Sequence, residues 1–122
     1  MTATPQRILV VDDDPEIRKL LARYIESQGF RVLLAASCAE LRDRLATSQV
    51  DLIVLDVMLP GLSGIEVLEE LRNDAALESI PVVVITAWSH AELDAQVAGA
   101  DRFVSKPFDP DELSTAVQEL LA

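Results

Sequence analysis

The chain has 122 residues, half of them apolar and a quarter charged, enough for one folded domain with its own core. It carries 21 acidic against 10 basic residues, a formal net charge of −11, which argues against neutralising phosphate backbones and so against direct nucleic-acid binding. The single cysteine, Cys38, excludes an internal disulfide. The opening residues contain no signal-peptide core and no stretch approaches a membrane span, so the expected location is cytoplasmic.

In chain order, residues 1–6 read as a loosely ordered lead to a single domain covering 1–122. Ile8–Val11 is a short aliphatic run that ends on three acids, Asp12, Asp13 and Asp14. Pro15 suits the first turn of a helix, with Asp14 as its cap. Ile17, Leu20, Leu21, Tyr24 and Ile25 then recur at helical spacing, which predicts an amphipathic helix over 15–27 that stops before Gly29. Residues 30–35 are strand-like. Ser37 caps a second helix, with Leu41 and Leu45 inward and Glu40, Arg42, Asp43 and Arg44 toward water; Cys38 reads as a small hydrophobe near its start.

The next run, Leu52–Leu55, is aliphatic throughout and reads as a strand buried on both faces. It ends on Asp56, with the turn signal Pro60-Gly61 shortly after, so the strand delivers a carboxylate to a crevice. A helix over about 64–73 carries Ile65, Leu68 and Leu71 on one face. Residues 81–86 form a fourth strand, almost entirely β-branched. A short helix over 91–98, a brief strand over 103–105 and a last helix over 110–121, with Leu113, Val117 and Leu120 inward, complete the chain.

Strand and helix alternate five times, which predicts an α/β fold: a doubly wound parallel sheet with helices on both faces. Ligands of such sheets bind outside the carboxyl ends of the strands. The residues there are Asp12 and Asp13 after the first strand, Asp56 after the third, Thr86 after the fourth and Lys106 after the fifth. Carboxylates gathered in one crevice repel one another unless a cation lies among them. An all-oxygen donor set points to a hard cation such as Mg²⁺. Lys106 complements a carboxylate or phosphate, and Thr86 offers a hydroxyl donor. This is the equipment of a carboxylate nucleophile, Asp56, that accepts a phosphoryl group.

Five segments now carry a family resemblance: Val10-Val-Asp-Asp-Asp-Pro15, Asp56-Val-Met-Leu-Pro-Gly-Leu-Ser-Gly64, Ile85-Thr-Ala87, Gly99-Ala-Asp101 and Lys106-Pro-Phe108. Together, in this order at strand ends, they resemble the receiver domains of two-component response regulators over residues 7–121. The resemblance implies a flavodoxin-like (βα)5 fold with strand order 2-1-3-4-5, a member of which is itself among the known examples of that order. It implies a signalling phosphoacceptor rather than an enzyme with a separate substrate. Asp56 would take its phosphoryl group from a phosphohistidine on a sensor histidine kinase or a histidine phosphotransfer protein. Asp12, Asp13, Asp56 and the backbone carbonyl of Met58 would hold Mg²⁺, and Lys106 would pair with Asp56 and then with the phosphoryl oxygens. Thr86 and Phe103 would act as the switch, altering a partner surface built from the fourth helix, fifth strand and fifth helix. A downstream protein target or output domain would read that surface, and a homodimer is compatible with it.

The chain departs from the family pattern in two places. Thr86 and Lys106 lie closer in sequence than usual, which shortens the fourth-helix region, and bulky Met58 and Trp88 stand two places after Asp56 and Thr86. The second departure suggests shielding of the phosphoryl group from water. Three other functions compete. An aspartate-dependent phosphatase needs a second acid where Met58 stands. A flavin carrier needs a phosphate cradle where Asp12-Asp-Asp14 would repel phosphate. A receiver-like interaction module acting without phosphorylation would be expected to lack Asp56, Lys106 or Thr86. His90 reads as an exposed loop residue.

Overall fold

A computed structural model describes residues 5–56, 64–86, 99–105 and 109–121 of the chain. Its strands are β1 (Arg7–Val11), β2 (Arg31–Ala35), β3 (Leu52–Asp56), β4 (Val82–Thr86) and β5 (Arg102–Ser105). Helices α1 (Pro15–Ser27), α2 (Cys38–Thr47) and α3 (Gly64–Arg72) follow the first three strands, and a C-terminal helix spans Pro110–Leu121. All strand pairs are parallel, in the order β2-β1-β3-β4-β5. The α/β doubly wound sheet and its strand order are therefore as expected. The predicted helix over 91–98 lies outside the described residues.

The three inner strands are buried along their length apart from Arg7, as their unbroken aliphatic runs require of strands covered on both faces. Alternate side chains feed two separate cores. Leu9, Val11, Ile53, Leu55, Val82 and Val84 meet Leu41 of α2 and Val67, Leu68 and Leu71 of α3. Ile8, Val10, Leu52, Val54, Val83 and Ile85 meet Leu21 and Ile25 of α1 and Leu113 and Val117 of the C-terminal helix. Cys38 is buried at the start of α2, in the first of these cores.

Local chemistry sets the helix starts. Asp14 caps α1, its Oδ1 accepting from the backbone N–H of Glu16 at 2.9 Å and of Ile17 at 3.5 Å, with Pro15 in the first turn. At α2, Ser37 Oγ accepts from Glu40 N–H at 3.2 Å while Glu40 Oε2 accepts from Ala36 N–H at 3.2 Å, a reciprocal cap. α1 ends before Gly29, whose φ of 96° is accessible to glycine at little cost.

One expected core residue is misplaced. Leu20 is not inward but 56% exposed, because α1 packs through the narrower stripe of Ile17, Leu21, Tyr24 and Ile25. Strand limits shift by one residue. Pro81 supplies only a carbonyl to the ladder, accepting from Ile53 N–H at 3.0 Å, so β4 begins at Val82.

Candidate functional site

Register places the strand-end residues beside one another. Val11 pairs with Leu55, so Asp12, just past β1, stands level with Asp56, the last residue of β3; Asp56 in turn pairs with Ile85, one residue before Thr86. A parallel sheet carries all its strand C-termini to one edge, and three acids converge there. One carboxylate oxygen each from Asp12, Asp13 and Asp56 lies within 4.8 Å of the others.

Burial separates their characters. Asp12 is 1% exposed and Asp56 is 3% exposed, whereas Asp13 is open to solvent. Like charges at this spacing repel by roughly 1–3 kcal/mol per pair between the dielectric of water and that of a protein surface. The donor set, all carboxylate oxygen and partly buried, fits a hard divalent cation and suits no soft metal. Asp12 also shapes the turn that follows it, its Oδ1 accepting from Asp14 N–H at 2.9 Å. Asp14 is occupied as the α1 cap, so the three consecutive acids divide between the cluster and the helix.

Thr86 is 1% exposed at the end of β4, level with Ser105 on β5. Phe103 pairs in register with Val84 and packs, partly buried, on the core shared with α2 and α3. Lys106, Met58 and Trp88 lie outside the described residues, as does His90. The structure thus brings together Asp12, Asp13 and Asp56, with Thr86 on the neighbouring strand end.

These observations invite comparison with known proteins. The model of the response regulator receiver domain matches residues 8–118. The chain belongs to that family. Among curated receiver-containing relatives, "Response regulator Rre1" of Synechocystis is 41% identical over 98% of this chain and 53% of its own length. "Transcriptional regulatory protein GltR" of Pseudomonas aeruginosa is 38% identical over 99% of this chain and 51% of its own. The chain spans about half the length of the curated relatives it matches.

Solved receivers agree in shape. The CheY-like receiver domain protein of Methanospirillum hungatei superposes with a TM-score of 0.89 at 28% identity, covering 97% of this chain and 94% of that one. Chemotaxis response regulator CheY4 of Vibrio cholerae gives 0.89 at 26% identity, covering 97% and 100%. No described helix of this receiver is long and apolar enough to cross a membrane.

Two arginines of the receiver escaped the reading of its sequence. Arg18 Nη1 donates to the carbonyl of Asp12 at 2.9 Å, a contact that the backward lean of helical side chains would have suggested. Arg72, at the end of α3, donates to the carbonyls of Gly99, Glu78 and Ile80 and to Asp101 Oδ2, at the pole of the sheet opposite the acids. Asp101 stands in a motif quoted above, but nothing in that motif names Arg72 as its partner.

Proposed function

We propose that this receiver, taken as one domain over 1–122, is a phosphoacceptor switch in which Asp56 receives a phosphoryl group from a phosphohistidine. The observation that carries the reading is the convergence of Asp12, Asp13 and Asp56 within 4.8 Å at the carboxyl edge of the sheet. Asp56 Oδ attacks phosphorus and the bond to the histidine nitrogen breaks, so that an acyl phosphate forms and the imidazole departs. The burial of Asp56 keeps bulk water away from its carboxylate.

Asp12, Asp13 and Asp56 would hold Mg²⁺, together with the Met58 carbonyl. When bound, the cation neutralises charge on the phosphoryl oxygens. Lys106 is assigned the remaining charge compensation and Thr86 a hydrogen bond to the phosphoryl group. With Phe103, Thr86 would pass the change to the surface around β5 and the C-terminal helix. The donors would be a sensor histidine kinase or a histidine phosphotransfer protein, and the reader a protein target or output domain. The domain turns over no separate substrate, and the setting is cytoplasmic.

Incubation with acetyl phosphate and Mg²⁺, followed by intact mass, tests this. The parent should gain one phosphoryl group and Asp56→Asn none. No gain in the parent, or equal gain in Asp56→Asn, overturns the assignment.

A further inference from the structure

The carbonyl that Arg18 holds belongs to the peptide joining Asp12 to Asp13. Its orientation therefore sets how the two Cα–Cβ directions relate, and hence whether both carboxylates can face one ion. The amide of Asp12 is fixed separately, donating to the Ala35 carbonyl at 3.2 Å. Asp14 N–H is fixed by Asp12 Oδ1, and Arg18 N–H by the Asp14 carbonyl at 2.9 Å. Among the described residues no hydrogen bond restrains the Asp13 side chain, so its aim depends on the backbone before it. Arg18 is half-buried on the first turns of α1, with Nη1 at 2.9 Å from the Asp12 oxygen.

We propose that Arg18 is a positioning residue for the cation site: by holding the Asp12–Asp13 peptide it presents both carboxylates in the arrangement Mg²⁺ demands. The inference rests on the reading of the acid cluster as a Mg²⁺ site. A guanidinium near that site also repels any divalent ion, an effect of opposite sign. Partial solvent exposure and physiological salt, with a screening length of about 8 Å, weaken that repulsion. It acts equally on every divalent ion, whereas geometry does not. Mg²⁺ requires near-ideal octahedral coordination, and Ca²⁺ accepts irregular shells.

The ratio of the two affinities therefore separates the effects. Mg²⁺ and Ca²⁺ would be titrated calorimetrically into the parent, Arg18→Met and Arg18→Lys, with thermal unfolding of each in chelator as the folding control. Arg18→Met keeps the apolar stem without a donor and should bind Mg²⁺ about tenfold more weakly, at the low end of outer-shell effects, with a smaller change for Ca²⁺. Arg18→Lys keeps the charge without the planar fork and should restore less than half of the loss.

Equal factors for the two ions, tighter Mg²⁺ binding, or full rescue by lysine would overturn the proposal while leaving the site itself in place. A parent that binds no Mg²⁺ would sink both the site and the proposal. Should Arg18→Met not fold, Arg18→Gln is read by the same ratio.

Discussion

Arg72 and Asp101 form an ion pair of 2.8 Å across the end of the sheet, and the same carboxylate oxygen accepts from Val82 N–H at 2.8 Å. The guanidinium also serves three carbonyls, those of Gly99 at 2.9 Å, Glu78 at 2.9 Å and Ile80 at 2.8 Å. One side chain thus joins the end of α3, the 73–80 turn, the start of β4 and the approach to β5. Removing it leaves two partly buried carbonyls, those of Gly99 and Ile80, without this donor. Arg72→Met should cost about 3 kcal/mol in urea unfolding. Arg42 Nη2 donates to both carboxylate oxygens of Glu70, at 2.9 and 2.7 Å, but that pair is half exposed, and Arg42→Met should cost less than about 1 kcal/mol. Equal losses at the two arginines would contradict this ordering.

The glycine beneath that clamp is predicted to be the more demanding of the two described glycines with positive φ. Gly29 has a φ of 96° and open space where a Cβ would lie; Gly99 has a φ of 98° and would bring a Cβ to 3.1 Å from Arg72 Cγ. Gly29→Ala should cost about 1–2 kcal/mol from backbone strain alone. Gly99→Ala should cost more, and part of the excess should vanish in an Arg72→Ala background, which removes the crowding atoms, measured as a double-mutant cycle.

Cys38 predicts a dependence on alkaline pH. Burial pushes its thiol up from the ordinary value of 9.0, Arg42 lowers it by a smaller effect, and Glu70 and Glu66 add to the rise. The unfolded chain therefore releases this proton at lower pH than the folded one. The stability associated with the neutral thiol is complete below the ordinary value and is lost as pH rises from there toward the folded value. Denaturation midpoints should fall more steeply above pH 9.0 in the parent than in Cys38→Ala. Parallel curves would show that the thiol is not involved.

The shielding expected of Met58 and Trp88 from the sequence would lengthen the lifetime of a phosphorylated state. If these bulky side chains screen the acyl phosphate, Trp88→Ala and Met58→Asn should each lose the phosphoryl group several-fold faster than the parent. The time course of intact mass after donor removal measures this, and unchanged rates in both variants would dismiss the shielding idea.

Much of the fold is legible in the sequence because it is written in short-range signals. Leu52–Asp56 announces a doubly covered strand by having no polar residue before its final acid. Asp14 with Pro15, and Ser37 with Glu40, mark helix starts by side-chain chemistry that needs no distant partner. The acid cluster is legible because parallel topology sends every strand end to one edge. Leu20 is misread because periodicity gives the width of an apolar stripe, while the sheet decides how much of it is covered. Arg72 is missed for a different reason. Its carbonyl acceptors at Glu78, Ile80 and Gly99 belong to the backbone, which carries no residue-specific signal, and only the folded chain brings them together.

The two cores on either face of the sheet have one further implication. Among the described residues, no buried one is shared between the set around Leu41 and Leu68 and the set around Leu21 and Leu113. Substitutions on opposite faces should therefore combine nearly additively in stability, while pairs on one face should not. Each side could then diverge in sequence on its own schedule. The β-sheet is a partition as well as a scaffold, and the acids at its carboxyl edge belong to neither compartment.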